Sequence, residues 1–337
     1  MSGPAEGTSG NPLALVMPRL DAGDTAQARL LIDAYLAAQA FYAGLPGASE
    51  TETVHRPRDE QEATRFQSVL ADPPLSLDQL EALRGGGLLH KKSLILQPEL
   101  LVPALLKGQD VEWGATPQID LEARTVNGRA YDAIILAAGW QLSALAPELG
   151  ITHRLGQVDW IESAITAPPS ATAQGHYAIA HQKLRLWGAT FADHAGGSPQ
   201  TSDMAREQNQ TGLDALSPYW VREASKSSVQ SRAGVRATTA DRLPLIGGWP
   251  DPEAMRLDRS RLERAQWKIA PDAYNQSGVY IAGGYGSRGF TWAPWAASIL
   301  TASVFGDPAP ARAEALSAVA PNRQALRRLK RQPTRKT

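Results

Sequence analysis

Residues 280–300, YIAGGYGSRGFTWAPWAASIL, run from a strand-like segment through a glycine loop into an apolar, helix-like segment. Gly284, Gly286 and Gly289 stand at the spacing G-x-G-x-x-G, and this stretch constrains the fold more than any other. Such a loop opens a βαβ unit when a second strand follows, ending in an acid about 20 residues on. Here the helix leads into FGDPAPARAEAL, whose prolines and polar turn residues occupy the place of that strand. Proline has no N–H to give to a sheet ladder, so the βαβ unit cannot close. What remains is a strand, a turn and a helix expected to begin near Pro294, since proline suits a first helical turn. The free N–H groups of such a helix end favour an anion. Glycines that serve only the turn explain the same residues equally well.

Upstream, residues 25–42 space their apolar side chains three and four apart, which predicts a helix capped by Asp24 or Thr25. The charged segment 50–72 predicts a loop followed by an exposed helix. In SLDQLEAL, Ser76 and Gln79 have capping-box spacing, which predicts a short helix. Asn127-Gly128 predicts a two-residue hairpin turn, and residues 133–136, apolar throughout, predict a parallel strand buried on both faces. That strand ends in Ala137, Ala138 and Gly139, small enough for a ligand to approach the backbone; a tight turn without a ligand accounts for them too. HRLGQVDWI, HYAIAH and LRLWGATF predict a mostly antiparallel sheet, followed by a polar helix over 202–216. His176, His181 and His194 match no metal-ligand spacing and read as surface or partly buried side chains, so no metal is expected.

With 337 residues, 43% hydrophobic and 20% charged, the chain can build one or two ordinary globular cores. A formal net charge of zero gives no overall attraction for nucleic acid or anionic membrane. The absence of cysteine excludes disulfides, thiolate metal sites and thiol catalysis. The opening MSGPAEGTSGNP lacks the features of a signal peptide, and no apolar run is long enough to span a bilayer. A cytoplasmic location without membrane contact is expected. Neutrality breaks at the end, where residues 322–337 carry Arg323, Arg327, Arg328, Lys330, Arg331, Arg335 and Lys336 and no acid. That stretch suits RNA phosphates or a solvated helix end.

Taken in order, SGNPLALVMPRLDAGD, YDAIILAAG, LGQVDW, WGATF, GVRATTADRLPLIGG, GGYGSRGFTWAPWAASIL and APNRQALRRLKR resemble a known family. It is the FAD-dependent oxidoreductase domain of the bifunctional tRNA 5-methylaminomethyl-2-thiouridine biosynthesis proteins, within the D-amino-acid oxidase/glycine oxidase superfamily. The resemblance implies an α/β (α+β) fold with a discontinuous FAD-binding domain over residues 1–44, 98–150 and 234–330. It further implies an antiparallel-sheet substrate domain over 45–97 and 151–233 and a basic tail at 331–337. FAD is the implied cofactor, with Ser9, Gly10, Asn11, Ala138, Gly139, Gly286, Ser287, Gly289 and Phe290 beside it. Arg288 lines the flavin as a catalytic candidate. Arg236 matches an arginine that holds the substrate carboxylate, which a guanidinium does through a bidentate fork; a plain salt bridge is the alternative.

The implied reaction is oxidation of a secondary amine: loss of the carboxymethyl group of carboxymethylaminomethyl-uridine at the tRNA wobble position. tRNA is then the substrate partner, with a methyltransferase as a further partner. The family's own strand, glycine loop, helix and second strand precede its counterpart of SGNP. They do not occur here, so the N-terminal Rossmann unit reads as missing and the purified chain is expected to be colourless. Two other readings stay open: an oxidase of free glycine, sarcosine or a D-amino acid, and an inactive truncated fragment.

Overall fold

The computed structural model describes residues 3–258, 273–324, 326 and 327. The chain forms two compact units: Met1–Ala115 with Arg154–Val235 and Arg288–Thr291, and Thr116–His153 with Arg236–Ser287 and Trp292–Thr337. Residues 1–44 and 98–115 thus fall in the first unit, and contact alone does not set apart the cofactor domain expected to contain them.

The first unit opens with β1 (Ala14–Val16) and α1 (Ala26–Tyr42). Ala28, Leu31, Tyr35, Ala38 and Tyr42 recur three and four apart on α1 and are all buried, as an amphipathic helix requires. Of the two expected caps it is Thr25 that acts: its hydroxyl accepts the Ala28 N–H at 3.0 Å. Then come β2 (Ala48–His55), α2 (Glu60–Ala71), β3 (Leu80–Ala82), β4 (Leu88–Leu96) and α3 (Pro98–Leu106).

Two expectations fail in this segment. The loop expected from Glu50 is the strand β2, because its charges alternate: Glu50 and Glu52 are exposed while Thr51 and Thr53 are buried. The helix expected at Ser76 is a turn leading into β3. The Gln79 N–H donates to the Ser76 carbonyl at 2.9 Å, while the Ser76 hydroxyl turns to Asp78 instead of capping. Pairing of Leu80 with His90 draws residues 80–82 into the sheet.

The chain continues in the second unit as β5 (Ile119–Asp120), β6 (Thr125–Val126), β7 (Arg129–Ala130), β8 (Ile134–Leu136) and α4 (Leu142–Leu145). Asn127 and Gly128, at φ 51° and 78°, form the expected tight turn between β6 and β7. Apart from the first residues of β9 and the last of β12, the next elements belong to the first unit: β9 (Thr152–Gln174), β10 (His176–Gly188), β11 (Ala192–Asp193), α5 (Asp203–Leu216), α6 (Pro218–Ala224) and β12 (Gln230–Thr238). The large sheet has eight strands in the order β1-β4-β2-β9-β10, with β3 on β4 and both β11 and β12 on β9. Its main pairings are antiparallel, as expected, apart from β2 with β9.

Asp159 on β9 has no exposed surface and accepts from Gln157 Nε2 (3.0 Å), Asn209 Nδ2 (2.7 Å) and the Ser231 hydroxyl. Removing this acceptor strands buried donors away from water. Asp159→Ala is therefore expected to cost about 3 kcal/mol of unfolding free energy, read as a lower urea midpoint. An unchanged midpoint would show that the network contributes no stability.

The second unit is completed by β13 (Leu245–Pro250), α7 (Pro252–Leu257), β14 (Asn275–Gly283), α8 (Gly289–Phe305) and α9 (Ala313–Val319). Its sheet runs β13-β14-β8, antiparallel and then parallel, over a core including Ile134, Leu136, Leu245, Trp249, Val279 and Ile281. β8 is parallel as expected but not buried on both faces: it ends the strand order, and Ile135 is 48% exposed. α8 begins at Gly289, ahead of Pro294, because the Thr291 N–H already closes a turn on the Arg288 carbonyl at 3.0 Å. Among the described residues α8 is followed by α9 and no strand, so this glycine loop opens no βαβ unit.

Candidate functional site

In the second unit, β8 and β14 run side by side in one direction, with Leu136 opposite Ile281. Their carboxyl ends bring residues 138–139 and 283–286 to the same end of the sheet, where open α/β sheets take ligands. Gly284 and Gly286 lie at φ 68° and 58°, and the Gly286 N–H donates to the Ala237 carbonyl at 2.8 Å. The loop is thereby fastened one residue beyond Arg236, which is 8% exposed. A Cβ on Gly283 would stand 2.3 Å from Leu142 Cδ1, so any larger residue there would require that buried side chain to move. Gly139 is different: it is exposed at φ 57°, and a Cβ there would meet nothing within 4 Å. Ala138 is half-buried and Ser287 exposed. Burial pushes the Tyr285 phenol above its ordinary value.

In the first unit, Ser9, Gly10 and Asn11 sit beside a loop wrapped on Arg232. Arg232 Nη2 donates to the carbonyls of Glu6 (2.6 Å) and Gly7 (2.5 Å). A Cβ on Gly10 would lie 1.9 Å from the Ala5 carbonyl oxygen and 2.5 Å from Arg232 Nη2, which is a packing reason for this glycine. Phe290 likewise packs, edge-on to Tyr42 at 6.4 Å. Gly289 leaves open space where its Cβ would be.

Arg288 is half-buried and donates from Nη1 to the Met17 carbonyl at 3.3 Å. Near it, Arg19 pairs with Asp21 at 3.3 Å and Arg65 with Glu62 at 2.5 Å. Among the described residues Arg288 has no carboxylate of its own in ion-pair contact. Burial first, then the like charges of Arg19 and Arg65, pull its guanidinium down to about 10, with Asp21 opposing them. A partly desolvated cation among like charges is stabilised by an added anion.

Two histidines that carry no sequence signal of their own join this cluster. His55 Nδ1 and His90 Nε2 lie 3.2 Å apart, although the residues are 35 positions apart in the chain. Burial lowers His55 to about 4, opposed by Glu62 and aided by Arg288 and Arg65. Burial, then His55 and Arg288, lower His90 to about 3. No local motif announces this pair, because the register of β2 on β4 creates it.

At the basic end, Arg323 is 6% exposed and pairs with Asp241 at 3.0 Å, and Arg327 reaches the same carboxylate. One carboxylate thus engages both cations, with Arg323 buried and the Arg327 side chain still 49% exposed. Arg328, Lys330, Arg331, Arg335 and Lys336, and with them the tail 331–337, lie outside the described residues. Of the three histidines read as surface or partly buried, His181 is buried. Among the described residues no group of three or more His, Asp or Glu could hold a metal, and no helix is long and apolar enough to cross a membrane.

A family model described as DAO, FAD dependent oxidoreductase, matches residues 1–303. The tRNA 5-methylaminomethyl-2-thiouridine biosynthesis bifunctional protein of Magnetococcus marinus is 28% identical over 376 aligned positions, covering 98% of this chain and 56% of that protein. Its namesake in Aeromonas salmonicida is 32% identical over 60% of this chain and 31% of its own length. The chain spans about half the length of the curated relatives it matches along its whole length. Among solved structures, iminodiacetate oxidase from a Chelativorans species has a TM-score of 0.65 at 16% identity, covering 89% of this chain and 86% of that one. Glycine oxidase from Geobacillus kaustophilus has a TM-score of 0.65 at 14% identity, covering 88% and 83%. These two likenesses are of fold: a mixed α/β fold of the D-amino-acid oxidase type.

Proposed function

Because the chain belongs to the DAO family of FAD-dependent oxidoreductases, we propose that it oxidises the C–N bond of a secondary amine bearing a carboxymethyl group, carried on a tRNA wobble uridine. The observation that carries this reading is Arg288, a half-buried cation whose neighbouring arginines have carboxylates in ion-pair contact while, among the described residues, it has none. A substrate carboxylate would complete it through a charge-assisted, bidentate pair. The tRNA part rests on likeness to relatives named for tRNA 5-methylaminomethyl-2-thiouridine biosynthesis. A cytoplasmic location and a methyltransferase partner belong to the same proposal.

Members of this family use FAD, and the open backbone at Gly139 with the left-handed Gly286 fits close approach by such a group. When bound, it supplies the hydride acceptor. Ala138, Gly139, Gly286 and Ser287 would hold it by backbone contact, with Ser9, Gly10, Asn11, Gly289 and Phe290 as further candidates. Arg288 would grip the carboxylate and so fix the carbon next to nitrogen in one orientation. Arg236 is a second candidate for that carboxylate. Hydrolysis of the resulting imine would release glyoxylate and leave an aminomethyl group.

One observation favours a second reading, oxidation of a free amino acid: Arg323, a cation of the basic stretch that could meet tRNA, is buried and paired with Asp241. The test supplies the chain with FAD and offers it tRNA from a strain blocked at the carboxymethylaminomethyl stage, alongside free glycine, sarcosine and D-amino acids. Mass spectrometry of the nucleoside is expected to show loss of the carboxymethyl group, with glyoxylate formed. Turnover of a free amino acid with the nucleoside unchanged would replace this reading by the second.

A further inference from the structure

The inward residues of β2 are polar. Thr51 is 5% exposed and Thr53 fully buried, and His55, next in the alternation, is half-buried. Thr53 faces His90 across the strand pair, and His90 too has no exposed surface. Burying such groups is unfavourable unless they find partners. The pairing of His55 Nδ1 with His90 Nε2 at 3.2 Å supplies one contact, yet His90 Nδ1 and Thr53 Oγ1 are sealed with no partner.

This asymmetry decides where the protons sit. The charged groups whose fields act on the pair are Glu62 and Arg65 on α2 and Arg288 ahead of α8, with the Phe66 ring 4.7 Å from His55. Both rings are neutral near pH 7, so each carries one N–H. If His55 donated from Nδ1, His90 would have to bury an N–H on Nδ1 with nothing to receive it. If His90 donates from Nε2, what remains at its Nδ1 is a lone pair. An orphaned buried donor is the rarer and costlier defect. His90 Nε2–H therefore donates to His55 Nδ1, and the proton of His55 stands on Nε2.

We infer that His55, through Nε2–H, is a second donor to the carboxylate held by Arg288, and that His90 is the positioning residue that selects this tautomer. The inference rests on the proposed role of Arg288 in holding that carboxylate. It makes the site a cation beside a neutral donor, suited to a carboxylate and indifferent to pH between about 6 and 8, where neither ring titrates.

The test is imidazole NMR on the full-length chain with 15N-labelled histidine, titrated with acetate and, separately, with inorganic phosphate. At pH 7 the long-range 1H–15N pattern of His55 is expected to be that of an Nε2–H tautomer, with its Nε2 signal moving as acetate binds. Arg288→Met should abolish that movement, and His55→Phe should weaken acetate binding about fivefold. His90→Leu should leave His55 a tautomer mixture, while His90→Gln, whose amide can still donate to Nδ1, should restore the wild-type pattern. Near-UV circular dichroism of the two His90 variants separates this effect from loss of fold. An Nδ1–H pattern at His55, or a ring unmoved while acetate binding still depends on Arg288, overturns the inference and leaves the Arg288 reading intact. Acetate binding that ignores Arg288 overturns both. An equal response to phosphate overturns selection of a carboxylate.

Discussion

Replacing Arg288 with methionine is expected to raise the KM for a carboxymethylamine substrate by about 100-fold, since hydrogen bonds to a charged group are each worth about 1.5–3 kcal/mol. The loss should appear mainly in KM and kcat/KM, because the carboxylate is gripped in the ground state and the transition state alike. Arg288→Lys should fall between the two, as an ammonium restores the charge without the fork. The unfolding midpoint of Arg288→Met should stay level or rise. Burial and the charges of Arg19 and Arg65 already work against the cation in the free protein. A cation kept at a cost to stability is the signature of function rather than of structure. Steady-state kinetics beside urea unfolding decides the matter: an unchanged KM, or a collapse of stability, would make Arg288 a structural residue.

Asp241→Asn is expected to cost about 3 kcal/mol of stability at pH 6, the scale for breaking a buried ion pair by removing one partner. Burial alone would raise the Asp241 carboxyl, but the hydrogen bonds and charge of Arg323, with Arg327 and the Thr239 hydroxyl, hold it well below the usual carboxylate range. Arg323 Nη2 also donates to the Leu243 carbonyl at 2.8 Å, so the same guanidinium ties the chain end to the segment before β13. A depressed folded-state pKa contributes stability that is fully present above the unfolded carboxyl's pKa and is lost as pH falls towards the folded one. Wild type and Asp241→Asn should therefore differ most above about pH 5 and converge as the pH drops below about 4. Urea midpoints taken across pH 2–7, as roughly spaced points over that carboxylate range, provide the check. Parallel curves would mean that the Asp241 carboxyl has the same pKa in the folded and the unfolded protein.

Features set by residues a few positions apart were legible in the sequence. Thr25, one of two expected caps, reaches the N–H of Ala28, and Asn127-Gly128 turns directly between its two strands. Each is a short-range hydrogen bond or a backbone preference that needs no distant partner. The same logic misled at Ser76, where capping-box spacing was present but the edge of β4 offered a competing ladder and Asp78 took the hydroxyl. It misled again at Glu50, where charge suggested a loop and alternation made a strand with an exposed acidic edge. The candidate site divided in the same way. Gly284, Gly286 and Gly289 stood out in one continuous stretch, in which the family resemblance marked Arg288, whereas His55 and His90 share no local pattern.

By itself, the sequence determined the Asn127-Gly128 turn, the helix after Thr25, the strand–glycine loop–helix stretch whose continuation cannot close a βαβ unit, and the order of motifs that marks the family. All of these are carried by neighbours along the chain. Only the tertiary structure decided which charges are already satisfied: Asp241 takes Arg323 and Arg327, Glu62 takes Arg65, and Arg288 is left without a carboxylate among the described residues. It also decided that a bulged register of β2 on β4 sets His55 against His90. The physical reason is that a side chain's partner across a sheet is chosen by strand register and burial. Both are set by packing the whole unit rather than by spacing along the chain.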